Sequence, residues 1–339
     1  MRFPSNLITF KEIVMHTTFG TVALTVLLSL VTSASALAAD KIEINAAAGN
    51  QGGVFYVGMG AVGNAIMKDN PDIDYSMFPS AGLTNVIRVQ NNQSQIGVIQ
   101  SNNGYMAVKG IAPFKKPQTN IAGLVNMNTR AHTHIVVSEA SGIKSMEEIR
   151  DKKLPIRINI NPTGGNNEMV PRLIFEAYGI GWKQLRENGA KLFPLSIPDS
   201  IDMMKDGRID VDVYHGEEPA YKYTDIMSTV DIRFLDVDPA VVQKVADDYG
   251  MTITEFSPEA YDGKAKGIRG LTSHTEIIVN AGMSEDLAYR LTKSIIEHRE
   301  DIATAVPLWS TMTPELACQT TVPLHPGAAR YYREIGVLK

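Results

Sequence analysis

The chain is poor in several things, and each shortage removes a class of function. It has one cysteine in 339 residues, Cys318, so no disulfide can close within it and stability must rest on packing. The stretch Leu316-Ala317-Cys318-Gln319 reads as helix, where a thiol serves as a small apolar side chain. Lysine and arginine form no cluster and the net charge is -5, which leaves no basic surface for a nucleic acid. A Gly-x-Ser-x-Gly elbow and a His-Glu-x-x-His pair are both missing, so hydrolysis lacks its usual nucleophile and zinc ligands. Internal repeats of about 20 to 50 residues, the mark of a solenoid, are absent too. Beyond Val31 no apolar stretch approaches the roughly 20 residues of a membrane span.

The N-terminus carries what the rest lacks. Arg2 and Lys11 precede an apolar run from Val22 to Val31, followed by the small residues Ser33 to Ala39. That order predicts a secretory signal over residues 1–38, cleaved after Ala36-Leu37-Ala38, and a periplasmic location. The alternative is a single membrane anchor, for which the run is short. No cysteine follows it for lipid attachment.

After the signal, strands alternate with helical patterns. Strands are expected at 42–46, 74–78 and 95–100 and helices at 54–67 and 83–91, and the rhythm resumes with strands at 156–160, 191–195 and 211–214 and helices at 168–178 and 200–205. Such alternation predicts an α/β fold with right-handed crossovers and mostly parallel sheets. At this length two lobes are expected. Two β-branched segments, 132–138 and 274–280, read as the strands joining them, which makes the lobes discontinuous: residues 39–135 with 271–339, and residues 136–270. The helices from Glu285 onward would then pack back on the N-terminal half.

Ligands of open α/β sheets bind where strand ends lead into helix starts. Three loops have that character. Gly52, Gly53, Val54, Phe55 and Tyr56 follow the first strand, with glycines that admit an anion to backbone N–H groups; the other reading is a plain flexible turn. Asn161, Thr163, Gly164, Gly165, Asn166 and Asn167 follow the first strand of the second lobe and make either a neutral polar cradle or an ordinary capping run. Gln100 and Ser101 open a third loop that continues through Asn102 and Asn103, and Ser80 is a further candidate contact. His215, Gly216 and Glu217, together with Glu218, form a turn after strand 211–214, where the acids would hold a ligand ammonium or simply face solvent. Gly58-Met59-Gly60-Ala61-Val62-Gly63 fits a dinucleotide pattern but lies inside a helix, so it is read as helix packing. His132 and His134, two apart on a strand, are the best material for a metal enzyme, with Arg130 and His215 elsewhere. They lack a fixed third ligand.

Four passages together resemble one family: Gly52 to Tyr56; Ile135-Val136-Val137 leading into Ser141 to Ile149; Met204 to Asp210; and Pro323-Leu324-His325-Pro326-Gly327-Ala328-Ala329-Arg330-Tyr331-Tyr332. From Ile42 to Lys339 the chain resembles the TAXI solute receptors, the extracytoplasmic binding subunits of TRAP transporters. The resemblance implies a type II-like two-lobed binding protein. It implies a monomer, without enzyme activity or cofactor, that captures a small carboxylate of the glutamate or 2-oxoglutarate class and delivers it to TRAP membrane subunits. An ATP-driven importer would use the same fold. The C-terminal passage is a structural clasp in such receptors, so His325 is expected outside the ligand site. Residues 163–167 replace the hydroxyls of the family's usual cradle with amides.

Overall fold

The computed structural model describes residues 41–339 apart from Asn50, Gly52 and Arg130. The expected signal, its cleavage site, the Gly52 contact and Arg130 therefore lie outside the described residues.

The first half of the chain runs β1 (Ile42–Ala47), α1 (Val54–Asp69), β2 (Ile73–Phe78), α2 (Gly82–Gln90), β3 (Ile96–Gln100), α3 (Ser101–Lys109), β4 (Ile121–Asn126) and β5 (Ala131–Ser138). It continues with α4 (Met146–Asp151), β6 (Arg157–Asn159), α5 (Asn166–Ala177), α6 (Trp182–Glu187), β7 (Lys191–Phe193), α7 (Ile197–Lys205), β8 (Val211–Gly216) and α8 (Tyr221–Met227). Then come β9 (Ile232–Phe234), α9 (Pro239–Tyr249), β10 (Thr252–Glu255), β11 (Arg269–Ser273), β12 (Thr275–Asn280), α10 (Glu285–Glu297), α11 (Arg299–Ala305), α12 (Pro314–Ala317) and α13 (Pro326–Glu334).

These strands build two sheets with interleaved helices. One has the order β2-β1-β3-β12-β4, the other β10-β11-β5-β8-β6-β7 with β9 also on β5. Both are mixed, where the sequence suggested mostly parallel pairing. β1 runs parallel to β3, and β6 parallel to both β7 and β8. β12 lies antiparallel between β3 and β4, and β5 antiparallel to β8, β9 and β11. The reason is that the strands carrying the chain between sheets arrive without a crossover helix, and only a crossover permits parallel pairing.

The chain passes between the sheets twice, from β4 to β5 through residues 127–130 and from β11 to β12 through His274 alone. Residues 131–135 and 271–273, expected in the first lobe, are strand residues of the second sheet. β4 and β5 are buried along their whole length, as strands covered on both faces should be.

The C-terminal helices close the first lobe. Gly58 in α1 leaves room for the Trp309 ring, which would stand 2.1 Å from any Cβ there, and Gly63 does the same for Tyr75 at 2.3 Å. The dinucleotide-like glycines are thus packing residues inside a helix. His298 Nε2 meets Asp69 at 2.9 Å and Arg290 ties α10 to Asn70 and Asp72. His325 caps α13, its Nδ1 accepting from the Gly327 N–H, while Nε2 lies 3.1 Å from the Met283 carbonyl. Its own N–H donates to Gly123 O at 2.9 Å. These contacts make the C-terminal passage a brace against β4, with buried His325 tying it to Gly123 and Met283. Cys318 is half-buried after α12, its Sγ 3.3 Å from Glu315 O, and burial pushes the thiol pKa up.

Candidate functional site

Four helices start at the strand ends where the two sheets face each other, and their first turns share a property. Gly53, Ala81, Gln100 and Gly165 precede α1, α2, α3 and α5, and none of them caps its helix with a side chain. Elsewhere Ser145, Ser196, Asp238, Ser284 and His325 cap α4, α7, α9, α10 and α13, while α6, α8, α11 and α12 also start without a side-chain cap; what sets the four apart is that contacts bring their starts together. An uncapped start leaves backbone N–H groups free to meet an acceptor, at the positive end of the helix. The capping reading of Thr163 and Asn166 is thereby set aside, because Gly165 occupies the cap position.

A chain of contacts brings these starts together. Ser80 N donates to Gly49 O at 3.2 Å, joining the loop after β1 to the loop after β2. A Cβ on Gly82 would stand 2.7 Å from Asn103 Oδ1, so the starts of α2 and α3 touch. Asn103 Nδ2 donates to Asn166 Oδ1 at 3.0 Å, and Asn166 Nδ2 donates to Asn102 Oδ1 at 2.7 Å. Those two bonds span from the first sheet's helices to the second's. All three asparagines are buried. Asn102 Nδ2 and Ser80 Oγ are buried atoms without a hydrogen-bond partner among the described residues.

Around this junction the expected contacts fall into two groups. Gly53 is the cap residue of α1, Val54 is 42% exposed, and Phe55 and Tyr56 are half-buried in the first turn. Thr163 and Gly164 are exposed, Gly165 and Asn167 half-buried, and a Cβ on Gly164 or Gly165 would meet nothing within 4 Å. These residues border open space. Ser101 is buried and tied to the crossing point, its N–H donating to His274 O at 2.8 Å and its Oγ accepting from His274 N at 3.0 Å. Gln100 is half-buried at the cap position.

The second group holds the site from behind. Asn161 sits at φ 59°, the left-handed region that asparagine tolerates. Its Nδ2 donates to Val213 O at 2.7 Å and to Asn167 O at 3.2 Å, which uses both amide hydrogens inside the lobe. Asn167 O is available because Pro171, four residues on within α5, has no N–H to donate. Asn159 Oδ1 accepts from Asn161 N and Leu195 N, and Asn159 Nδ2 donates to Asp212 Oδ1 at 2.6 Å. Asp212 in turn pairs with Lys222, Nζ to Oδ2 2.7 Å, both fully buried. The expected ligand contact at Asn161 is thus a brace.

His215 and Gly216 are the last residues of β8 and are buried, where the sequence suggested a turn. His215 has both ring nitrogens engaged, Nδ1 2.8 Å from Thr133 Oγ1 and Nε2 2.8 Å from Ser273 Oγ. Burial lowers its pKa to about 3, so the ring is neutral. A Cβ on Gly216 would run into the Tyr214 ring at 2.2 Å. Glu217 Oε2 accepts from the Tyr214 hydroxyl at 2.7 Å and Glu218 Oε1 from Ser257 N at 2.5 Å. One oxygen of each acid is thus engaged within the second lobe. His132 and His134 lie on the same face of β5 with ring centroids 6.0 Å apart, packed against Phe256. His134 Nε2 stands 2.7 Å from the Tyr261 hydroxyl, and burial holds its pKa well below the usual imidazole value. Among the described residues no three His, Cys, Asp or Glu side chains could hold a metal ion, and no helix is long and apolar enough to cross a membrane.

Asn102 and Asn103 are the residues whose role the sequence understated, although two consecutive amides in the first turn after a strand were the available signal.

Several solved structures share this architecture at low identity. MatC from Rhodopseudomonas palustris with bound malate is 11% identical, with a TM-score of 0.52 over 88% of this chain and 98% of that one. PhnD1 from Prochlorococcus marinus in complex with methylphosphonate is also 11% identical at a TM-score of 0.52, covering 88% of this chain and 99% of that one. A TctC solute-binding protein from Polaromonas is 13% identical with a TM-score of 0.50, covering 89% and 99%. The α/β fold, two sheets with interleaved helices, is therefore one that this chain shares with these proteins. Residues 46–336, nearly everything from β1 to the last turn beyond α13, match the NMT1-like family, and it is to that family that the chain belongs.

Proposed function

We propose that this protein is an extracytoplasmic solute receptor that takes a small carboxylate into the cleft between its two sheets and hands it to the membrane subunits of a TRAP transporter of the TAXI type. The observation that carries the reading is the junction of uncapped helix starts at α1, α2, α3 and α5, bridged by the asparagines and open above Gly164 and Gly165. Such a junction suits an anion, because several N–H groups and helix ends point at one place without a cation of its own. The loops 49–56, 80–82, 100–103 and 161–167 contain no lysine or arginine. The clasp and the Gly52-to-Tyr56 sequence passage support the TAXI assignment, and the signal-like N-terminus supports export to the periplasm.

A second reading is favoured by the fold relatives. Malate and methylphosphonate, in MatC and PhnD1, are both small oxyanions, so a phosphonate or a different transporter class would use the same scaffold. Glutamate, 2-oxoglutarate, malate, methylphosphonate, glucose and spermidine, each tested by thermal shift, separate these outcomes. A ligand at 100 times its Kd stabilises the protein by about 2.7 kcal/mol. A response to glucose or spermidine with none to any anion refutes the proposed function.

A further inference from the structure

The proposed cleft leaves open which side chain reads the ligand, and the three bridging amides answer it. An amide chain has a direction, because each link needs one N–H and one C=O. Here Asn103 Nδ2 donates to Asn166 Oδ1, and Asn166 Nδ2 donates to Asn102 Oδ1. The direction ends on Asn102, whose oxygen is taken and whose Nδ2 is left without an acceptor although the residue is fully buried. A buried donor left unpaired is costly, and this one stands at a junction of helix starts, where a ligand acceptor would satisfy it. Nδ2 shares its carbon with Oδ1, and therefore lies at the same junction between α3 and α5. Ser80 Oγ, in the loop before the Gly82 that Asn103 abuts, is a second buried polar atom without a partner.

We propose that Asn102 is the specificity-determining contact of the cleft, its Nδ2 donating to an oxyanion oxygen of the ligand while its Oδ1 holds the second lobe through Asn166. The inference rests on the cleft being the ligand site. It adds that recognition and lobe closure share one side chain. An oxyanion accepts from Nδ2 and from first-turn N–H groups of α3 other than that of Ser101, which donates to His274 O, and the Ser80 hydroxyl in the neighbouring loop is a further donor. An ammonium group would find no acceptor on Asn102 with the chain running this way. With the bridge intact, the lobes stay apposed as long as Asn102 Oδ1 and Asn166 Nδ2 remain in register, and ligand binding fixes the amide in that orientation.

The test is isothermal titration of glutamate, 2-oxoglutarate, malate and methylphosphonate into the full mature chain and three variants. Asn102→Asp keeps the oxygen that Asn166 needs and replaces only the donor, and should weaken binding of the responding anion by about tenfold to hundredfold or more, the loss expected for a hydrogen bond to a charged group. Asn102→Ala, which introduces no charge, should weaken it by about tenfold while the ligand-free protein still melts cooperatively. Asn166→Ala breaks the bridge, and should also abolish the ligand-dependent decrease in radius of gyration seen by small-angle scattering. If Asn102 were merely structural, its variants would lower the ligand-free melting temperature and leave the affinity of the folded fraction unchanged, which overturns the inference while the receptor reading stands. A wild type that binds methylphosphonate alone, with Asn102→Asp losing it, refutes the carboxylate reading and keeps the role of Asn102. A wild type that binds none of the four overturns both.

Discussion

Replacing Glu276 by glutamine should make the protein more stable at neutral pH. Glu276 lies in β12, two residues past the crossing at His274, and is fully buried. Its Oε1 accepts from Thr321 N at 2.8 Å and its Oε2 lies 2.9 Å from Thr321 Oγ1, which is also 2.9 Å from Ser101 O. The threonine hydroxyl has one proton for two acceptors. If the carboxyl is protonated, Oε2–H donates to Thr321 Oγ1 and that hydroxyl is free to donate to Ser101 O, so every atom is paired. Burial pushes the Glu276 pKa up to about 7, against the smaller opposing pull of the Thr321 and Val322 contacts. A carboxyl raised above its unfolded value of 4.5 contributes its stability in full below that pH and loses it as pH rises through about 7. The difference of about 2.5 units corresponds to roughly 3 kcal/mol by pH 8. Glutamine reproduces the protonated pattern, Nε2 donating to Thr321 Oγ1. Other groups titrate in the same window, the buried histidines with the opposite sign, so the readout is the difference between the two proteins. Urea unfolding of wild type and Glu276→Gln from pH 4.5 to 8.5 should give near-equal stability at the acid end and an advantage of about 3 kcal/mol for the variant at pH 8. A constant difference across the range would refute the argument.

His215, held at a pKa of about 3 against 6.5 unfolded, contributes stability above pH 6.5 that is lost as pH falls. At pH 5 the loss is about 2 kcal/mol, and His215→Gln, compared with wild type by the same unfolding assay, should remove that part of the acid slope. Lys222→Met leaves Asp212 charged in a dry site, and should cost about 3–5 kcal/mol in chemical denaturation, most of it recovered in the double variant with Asp212→Asn; no recovery would show that the two do not act as a pair. Gly58→Ala should cost about 1–3 kcal/mol by crowding Trp309, without changing ligand affinity.

Much of the fold could be read from the sequence because its signals are local. Val54 to Met67 has helical periodicity and Ile156 to Ile160 alternates isoleucine with polar residues, and the structure places a helix and a strand there within a few residues. The family passages marked the clasp for the same reason, since a cap histidine followed by Pro326 and Gly327 is a short-range pattern. What stayed hidden depends on who stands opposite. His215 resembles a loop residue until β5 and β11 supply Thr133 and Ser273 to fill both ring nitrogens. Asn161 looks like a ligand contact, yet a proline ten residues later frees the carbonyl that takes its amide. Asn102 and Asn166 are 64 residues apart in sequence, and nothing in either neighbourhood names the other.

That division bears on how a receptor of the proposed kind could release what it binds. The charged pair of the second lobe, Asp212 with Lys222, is joined to the cradle through Asn159 and Asn161. The side chains that bridge the junction are amides, and the unpartnered polar atoms beside them are Asn102 Nδ2 and the Ser80 hydroxyl. A buried cation against a ligand carboxylate would bind tightly, but withdrawing one partner would leave an uncompensated charge and cost about 3–5 kcal/mol. Neutral donors impose a smaller penalty when emptied, about 1–3 kcal/mol for each one left dry and less once water enters. In the proposed receptor rigidity would therefore come from ions held away from the ligand, and contact from groups that can exchange it for water. If Asn102 carries that contact, opening the lobes breaks the Asn166 bridge and wets the ligand's donor in the same motion, so release follows from domain movement without a titrating group in the site.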